Sequence, residues 1–305
     1  MAIRAAWLHY VGKHTQADVA KKLGVSGVKV HRLIARAAQE GAVRFVIDGP
    51  ISECLESESL LSQRYSLAYC EVVPRVTDDS IPLTELGVAG AAFLQREMQN
   101  ADNKLIGLGH GRTLSASVQQ LPSITSTDVE FVSLLGGLNR NFAANPHDVM
   151  HNLAYKTGAT AYVMPVPFVA NQIEDREVLL SQRGVQEVLR LAISSSLKYV
   201  GIGTAEPNAQ IVSSGMIKSE EIKEIKAMGA VGELLGHFFN QHGEFLETSL
   251  TARTLSIALS DMRKSRIVAV AGGDNKVRAI DSIMKSNLIS GLITDERTAS
   301  ALLRL

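Results

Sequence analysis

The chain is poor in the residues on which several common protein classes depend. It has two cysteines, one tryptophan and a formal net charge of zero in 305 residues. Cys54 and Cys70 offer neither a disulfide framework nor the spacing of a cysteine-ligated metal site. No apolar run approaches the roughly 20 residues that cross a membrane, and the N-terminus lacks the basic start and apolar core of a signal peptide. We therefore expect a protein of the reducing cytoplasm, with no membrane partner.

The zero net charge conceals an uneven distribution along the chain. Residues 1–47 contain eight basic and two acidic side chains, an excess of +6, whereas the remainder has 23 basic and 29 acidic side chains. Such a split indicates that the N-terminal segment meets a polyanion. Chance clustering on solvated helices is the alternative, and the positions of the basic residues on those helices must decide between the two.

Helix signals in the first fifty residues follow the order of a helix-turn-helix domain. The first helix is expected to turn Ala5 and Leu8 inward, with Trp7 a further candidate for that face. Thr15 precedes a second helix, and Gly24 ends it because glycine accepts the left-handed conformation there. A helix, a short turn containing glycine and a second helix form the helix-turn-helix pattern.

The third helix, which is expected to begin after Ser26, favours DNA binding. Its apolar residues follow i, i+3, i+4, i+7 spacing, whereas Lys29, Arg32 and Arg36 fall within about 60° of each other on a different face. A helix that packs on one side and presents cations on the other suits the major groove. A merely solvated basic face is less consistent with the helix-turn-helix spacing and the charge split. The residues expected to contact DNA are Thr15, Gln16, Ser26, Gly27, Val28, Lys29, Arg32 and Arg36.

A break in the pattern near residue 50 predicts a domain boundary. Residues 42–47 (AVRFVI) alternate toward a short strand, as in winged helix-turn-helix domains, and Asp48-Gly49-Pro50 interrupts the chain. We therefore expect a DNA-binding domain over residues 1–50 and a second domain over residues 51–305.

Helical and strand patterns alternate through the second domain. This alternation predicts an α/β fold, Rossmann-like, with a mostly parallel sheet covered by helices on both faces. The strands are expected at residues 104–108, 129–135, 161–164 and 199–202 and within RIVAVAGG and LISGLITDE near the C-terminus.

Glycine-rich loops follow several of these strands, and GLGHGRT at residues 107–113 is the most distinctive of them. In parallel α/β folds, ligands bind where such loops lead into helices. The glycines let backbone N–H groups approach an anion, and Arg112, Thr113 and Lys276 can add bonds to phosphate. The spacing matches neither the dinucleotide fingerprint nor the P-loop. A tight strand-to-helix turn remains the alternative for each of the candidate loops, at residues 109–113, 136–140, 203–204 and 272–276.

Catalytic and metal-binding groups are less well supported by the sequence. A sugar-phosphate isomerase or deaminase would use Asp295 or Glu296 as base and His110 as acid, but the two carboxylates also suit the start of a helix. His147 and His151 have i, i+4 spacing, yet no acidic third ligand is evident. We therefore expect no catalytic residues, no metal and no cofactor.

Motifs along the whole chain occur in the order of one known family. They read TQADVAKKLGVSGVKVHRLIARAAQEGAV, GLGHGRTL, LLGGLNR, NPHDVMHNLAYKTGA, VPFVAN, GIGTAE and AGGDNKVRAI, followed by LISGLITDE. Together they resemble the SorC family of sugar-responsive transcriptional regulators. The resemblance implies a DNA-binding head on an effector domain related to sugar-phosphate isomerases, usually assembled as a tetramer. It also implies phosphate contacts at Gly111, Arg112, Thr113 and Lys276.

The chain departs from the family pattern at three positions. Ser26-Gly27 stands where the family often has Ser-Arg, and His31 replaces a common serine, so the operator is expected to differ. Asn240 stands where aspartate is frequent; asparagine can donate as well as accept hydrogen bonds, which leaves a sugar, a polyol or a sugar phosphate as the effector. The partners expected are operator DNA, this effector and further copies in a homodimer or homotetramer. The residues expected to bind effector are Gly109, His110, Gly111, Arg112, Thr113, Asn240 and Lys276.

Overall fold

A computed structural model describes residues 1–43, 52–76, 78–123, 128–139 and 149–305. The chain forms two compact units, Met1–Pro50 and Ile51–Leu305. Each unit has its own hydrophobic interior, since the cluster around Val19 and Val30 is separate from the clusters of the larger unit. Among the described residues, no helix combines the length and the apolar character needed to cross a membrane.

The smaller unit is built from three helices, α1 (Ala2–Tyr10), α2 (Gln16–Leu23) and α3 (Gly27–Gln39). Ala5, Val19, Val30 and Ile34 form its buried centre. Ala37 is also fully buried, which confirms the apolar face expected for α3. Trp7 does not belong to this centre: it is 58% exposed, because at about 100° per residue it projects from the opposite side of α1 to Ala5. The inward position considered for Trp7 is therefore wrong.

The ends of α2 and α3 are set by residues that the sequence identifies. The Thr15 side chain accepts a hydrogen bond from the Asp18 backbone N–H at 3.2 Å, and Ser26 does the same for Lys29 at 3.4 Å. Gly24 adopts φ 64° and ends α2 in the left-handed conformation. These caps place α3 directly after a short turn, as a helix-turn-helix requires. The strand expected at residues 42–47 lies mostly outside the described residues.

The larger unit alternates helices and strands. In chain order they are α4 (Ser52–Tyr65), β1 (Tyr69–Val73), α5 (Leu83–Gln99), β2 (Leu105–Leu108), α6 (Arg112–Gln120), β3 (Glu130–Ser133), α7 (Met150–Thr157), β4 (Ala161–Tyr162), α8 (Ile173–Ser181), α9 (Arg183–Ser194), β5 (Leu197–Val200), β6 (Gly203–Thr204), α10 (Gln210–Ser213), α11 (Ser219–Ala227), β7 (Ala230–Leu234), β8 (His237–Asn240), α12 (Leu259–Met262), β9 (Arg266–Val270), α13 (Val277–Lys285), β10 (Gly291–Asp295) and α14 (Glu296–Leu303). Short 3-10 turns lie at Thr251–Arg253 and Asp274–Lys276.

In the described part of this unit, seven strands form one parallel sheet in the order β1-β10-β9-β5-β2-β3-β4. Successive residues of β9 enter opposite cores, since Ile267 and Ala269 pack with α4, α9, α13 and α14, whereas Val268 and Val270 pack with α5, α6 and α7. A parallel sheet buried on both faces explains the nearly continuous apolar strands. The expected α/β fold with a mainly parallel sheet is confirmed.

A second sheet of three antiparallel strands, β6-β7-β8, lies beside the first among the described residues. It packs closely on α13, since a Cβ added to Gly232 of β7 would lie 2.9 Å from the carbonyl oxygen of Ala279. This sheet was not predicted from the sequence. Its strands are short; Gly232 lies within β7, Gly229 directly before β7 and Gly236 directly before β8, so a clear alternating pattern is missing.

Candidate effector pocket and DNA-binding surface

Helix α3 presents its basic residues to solvent. Lys29, Arg32 and Arg36 are exposed, whereas Val30 and Ile34 on the other side are buried. The start of the same helix is open as well, because Ser26 and Gly27 are exposed and Val28 is 67% exposed. The face therefore offers cations for phosphates and an exposed methyl-bearing side chain for a thymine methyl.

Contacts within the unit occupy two of the side chains that were expected to bind DNA, Arg36 and Thr15. Arg36 forms an exposed salt bridge with Glu40 at 2.7 Å, which partly offsets its charge. Thr15 is exposed but its hydroxyl donates to the Asp18 carboxylate at 2.6 Å, and Gln16 is half-buried at the start of α2. Among the three basic residues of this face, Lys29 and Arg32 are thus the ones most open to a phosphate backbone.

The pocket of the larger unit lies at the topological switch point of the parallel sheet, the place where the strand order reverses. From β2 the chain continues to β3 and β4 at one edge, whereas from β5 it continues to β9 and β10 toward the other. The loops after β2 and β5 therefore diverge, and open parallel sheets bind ligands in the crevice this creates. Residues 110–113, 201–204 and 209–211 line the pocket, together with Glu233, Leu235 and Lys276.

The turn after β2 directs the start of α6 toward the pocket. Gly111 caps the helix with φ 129°, a conformation that other residues rarely adopt. The first backbone N–H groups of α6 have no intrahelical partners, and they favour an anion together with the helix dipole. Arg112 adds a positive charge. The Thr113 hydroxyl donates to the Val270 carbonyl at 2.9 Å, so this hydroxyl is already committed as a donor.

Lys276 enters the same pocket from the loop after β9. Its ammonium group donates to the Ile202 carbonyl at 2.7 Å. Desolvation, with Arg112 as a second cause, lowers the pKa of Lys276 to about 8. A cation that is held beside another cation is favourably placed for an anionic ligand, which would relieve the repulsion.

Glu233 of β7 supplies the pocket with a buried carboxyl group. Its Oε1 accepts a hydrogen bond from the Gly236 backbone N–H at 2.6 Å. Burial raises the pKa of Glu233 to about 7, although the Gly236 N–H and Lys276 act in the opposite direction. A Cβ on Gly203 would lie 2.2 Å from its Oε2, so a larger residue at that position would displace the carboxyl group. The carboxyl group can accept hydrogen bonds from ligand hydroxyl groups.

Gln210, the first residue of α10, adds an amide to the pocket lining. Its Nε2 is buried and has no hydrogen-bond partner among the described residues. A buried donor without a partner costs free energy unless a ligand or water satisfies it. The pocket therefore combines two cations, a carboxyl group, an amide donor and a helix N-terminus.

The structure brings together most, but not all, of the residues expected to bind effector. His110, Gly111, Arg112, Thr113 and Lys276 line one pocket. Gly109 lies just behind it, where a Cβ would be 3.1 Å from the Leu235 side chain. Asn240 lies elsewhere, at the end of β8, where it begins the turn that follows this strand.

The Asn240 side chain stabilises that turn instead of facing the pocket. Its Oδ1 accepts from the backbone N–H groups of His242 and Glu244, at 2.9 and 3.1 Å, and its Nδ2 donates to the Glu244 carboxylate at 2.8 Å. Glu233 and Gln210, which were not predicted from the sequence, supply the pocket lining with the polar groups that had been expected from Asn240. An acidic residue inside the apolar run AVGELLGHFF was the signal for Glu233.

The carboxylates considered for catalysis hold the fold together. Asp295 is fully buried and caps α14 by accepting from the Thr298 backbone N–H at 3.1 Å, and it pairs with Arg75 at 3.5 Å. Glu296 accepts from the Arg75 backbone N–H at 3.0 Å. Neither lines the pocket with His110. The start of a helix, not a reaction centre, explains both residues.

Residue His151, considered as a metal ligand, is exposed on α7, and its candidate partner His147 lies outside the described residues. Within the ranges that the structure describes, no group of three or more His, Cys, Asp or Glu side chains could hold a metal ion.

Comparison with known proteins relates nearly the whole chain to transcriptional regulators and most of it to a sugar-binding domain family. Residues 49–304 match the family described as "Putative sugar-binding domain". The erythritol catabolism regulatory protein EryD of Brucella abortus (strain 2308) is 56% identical over 303 residues, which cover 99% of this chain and 96% of that protein. The transcriptional regulator LsrR of Enterobacter sp. (strain 638) is 31% identical over 312 residues, which cover 100% of this chain and 93% of LsrR.

Solved structures share the same fold. The full-length sorbitol operon regulator SorC of Klebsiella pneumoniae superposes with a TM-score of 0.73 at 24% identity, covering 99% of this chain and 98% of that one. A DeoR family transcriptional regulator of Listeria monocytogenes gives a TM-score of 0.74 at 21% identity, covering 82% of this chain and 99% of that one.

Proposed function

The chain belongs to the SorC family of sugar-binding transcriptional regulators, and from that premise we propose which small molecule it senses and how that molecule acts. It is a transcriptional regulator and not an enzyme, as its relatives are regulators along their whole length. We place the protein in the cytoplasm as a homodimer or homotetramer, with α3 on operator DNA and the effector in the pocket beside Lys276.

The effector that we propose is a small polyol of the erythritol type, either free or as its phosphate ester. The 56% identical relative is named for erythritol catabolism. A polyol presents only hydroxyl groups, for which the Glu233 carboxyl group is an acceptor and the unpartnered Gln210 amide a donor. A phosphate ester would be bound by Arg112, Lys276 and the N-terminus of α6.

Coupling to DNA is proposed to begin at Lys276. Its ammonium group is bonded to the Ile202 carbonyl, which belongs to the loop after β5. A ligand that attracts this ammonium group competes with that bond and favours a different position of the loop. Differential affinity for two arrangements of the oligomer then changes operator affinity.

The observation that carries this proposal is the meeting of Arg112, Lys276 and Glu233 in one pocket at the reversal point of the sheet. Thermal denaturation with erythritol, its phosphate ester and other tetritols and pentitols tests it, because a ligand bound only by the folded state raises the melting temperature.

Two pocket variants show, by their melting temperatures, whether the protein binds the free polyol or its phosphate ester. If the ligand is free erythritol, Glu233→Gln removes the rise in melting temperature and Lys276→Ala largely preserves it. If the ligand is the phosphate ester, Lys276→Ala removes the rise. Glu220→Gln and Lys223→Ala, which are exposed on α11, are the matched controls and should respond as the unaltered protein does. A normal response of both pocket variants, or no rise with any of these compounds, would contradict the proposed effector site.

A further inference from the structure

Helix α1 of the smaller unit carries a row of apolar side chains that the fold does not bury. Ile3, Trp7 and Val11 are 66%, 58% and 63% exposed. Their spacing of four residues places them along one side of the helix, and Val11 continues the helical geometry by donating its N–H to the Trp7 carbonyl at 3.0 Å. A contiguous exposed row that contains the one tryptophan of the chain indicates an interaction surface.

The row is symmetric about Trp7. Ile3 lies four residues before Trp7, and Val11 lies four residues after it. At about 100° per residue, these two side chains are rotated from Trp7 around the helix axis by about 40° in opposite directions. In an antiparallel pair of α1 helices with a two-fold axis at Trp7, Ile3 of each copy faces Val11 of the other. Rows with i±4 spacing pack on each other at about −50°, the commonest class of helix pair. The row therefore complements a second copy of itself.

The charges of the smaller unit favour contact at the same place. Residues 1–47 carry an excess of +6, so two copies repel each other over most of their surfaces. The row itself has no charged side chain. Arg4 flanks it, but this residue is exposed and can direct its guanidinium group to solvent. Two such units approach with least repulsion through α1.

DNA is a poorer match for this row than a second copy. Surfaces that bind phosphate supply cations and hydrogen-bond donors, and these lie on α3 at Lys29 and Arg32. A regulator with one recognition helix per copy reads a two-fold operator with two copies on neighbouring half-sites. A self-complementary face on each copy fits that arrangement.

The surface area of the row is too small for a stable interface by itself. α1 has nine residues, so it is about 13 Å long and offers much less than the roughly 800 Å² per partner of a standard interface. The row cannot by itself hold two free copies together. It contributes once another element, such as a shared duplex, holds two copies close to each other.

We propose that α1 is the surface through which the DNA-binding units of two copies pair, antiparallel about Trp7, when both occupy one operator. The antiparallel arrangement places the N-terminus of each helix beside the C-terminus of the other, which suits their dipoles. A parallel pair would bring the two positive ends of the helix dipoles together.

The single tryptophan makes the contact measurable in the full-length protein. The probe is a duplex that the full chain selects from a random-sequence pool, and the readout is quenching of Trp7 fluorescence by acrylamide. We expect Trp7 to be accessible in the protein alone and shielded in the complex with the duplex.

Opposite charges introduced at positions 3 and 11 test whether a second copy of α1 is what covers the row. Val11→Glu alone and Ile3→Lys alone should each abolish the shielding and weaken operator affinity by about tenfold. The double variant Ile3→Lys/Val11→Glu should restore both, because each introduced charge then faces its opposite in the other copy. Within one helix the two positions are eight residues, or about 12 Å, apart and do not pair. Val178→Glu, at a 61% exposed valine on α8, is the matched control and should change neither readout.

Any of three other results would contradict the proposed pairing of α1 helices. If Trp7 stays accessible in a complex that forms normally, nothing covers α1, although the DNA-binding function stands. If shielding occurs but the double variant fails to restore it, DNA, the effector unit of the same chain or a parallel pair covers the row. If the chain selects no duplex at all, the regulatory function itself fails and the pairing falls with it.

Discussion

At the scale of single residues, Glu233 and Lys276 determine what the pocket can accept. Desolvation is the main cause of the pKa shift at both residues. It raises the pKa of the Glu233 carboxyl group to about 7 and lowers that of the Lys276 ammonium group to about 8. The pocket can therefore adjust its charge near neutral pH at little cost. If the proposed effector binds here, a neutral polyol and a charged ester make different demands on these two groups, so substitutions here are expected to discriminate between them.

The raised pKa of Glu233 predicts a pH-dependent gain in stability on substitution. The carboxyl group has a pKa of about 7 in the folded state against an ordinary value of 4.5, so the stability of the native protein falls as pH rises from about 4.5 to about 7. Glu233→Gln keeps the acceptor for the Gly236 N–H and removes the ionisation. We expect this variant to gain on the order of 1–3 kcal/mol at pH 8 relative to its difference at pH 5.

Thermal melts of the ligand-free protein across this pH range provide the measurement. Lys276 acts in a separate window, because its lowered pKa makes stability rise between about pH 8 and 10.5. Glu220→Gln, at an exposed position on α11, should track the native protein at every pH. An equal difference between Glu233→Gln and the native protein at pH 5 and pH 8 would show that the carboxyl group is not perturbed by burial.

At the scale of elements, α3 is the helix on which DNA affinity is expected to depend. Lys29→Ala and Arg32→Ala each remove one exposed cation without touching the buried Val30 or Ile34. We expect each substitution to weaken operator binding and to reduce the slope of log affinity against log salt by about 0.9, the value for one lost phosphate contact. Fluorescence anisotropy of a labelled operator duplex at several salt concentrations measures the slope.

A matched control comes from the larger unit. Lys223→Ala on α11 also removes one exposed cation, and its salt slope should equal that of the unaltered protein. If Lys29→Ala and Lys223→Ala behave alike, α3 does not contact the phosphate backbone.

Elements with strong local signals were predictable from sequence. The strand expected at 104–108 is β2 with one residue fewer, since an apolar run specifies it, and the glycine-rich turn that follows this strand leads directly into α6. The small antiparallel sheet was not predictable. β6 has two residues and β7 contains Gly232 where α13 approaches, so its form depends on packing and not on periodicity.

At the scale of the whole molecule, two units with separate interiors suggest separable functions. The buried centre around Val19 and Val30 belongs to the smaller unit, and the two large clusters belong to residues beyond 51. Removing residues 1–50 should therefore abolish binding to the operator duplex and preserve the rise in melting temperature with the effector. Anisotropy and thermal melts of the truncated chain test both statements.

A truncated chain that still binds the operator specifically would place DNA recognition in the larger unit. One that binds neither DNA nor effector, and melts without cooperativity, would show that the larger unit depends on the smaller one for folding.

The site as a whole was only partly accessible to sequence reasoning. Arg112 and Lys276 were found because cations beside glycine loops after strands are a recognisable pattern. Glu233 could not be paired with them, because it lies 121 positions after Arg112 and 43 before Lys276, and only the packing of β7 against the crevice brings it there. Asn240 drew attention through the family pattern, yet its side chain is used by its own turn.

The placement of β7 beside the crevice also bears on how descendants of this protein could acquire new signals. Glu233 and Gln210 belong to β7 and α10, which lie outside the parallel sheet, whereas the glycine turn before α6 directly follows β2. If the proposed effector site is right, substitutions on these two elements change the hydroxyl pattern that the pocket accepts without altering a strand of the parallel sheet. The scaffold can then be inherited while the signal diverges.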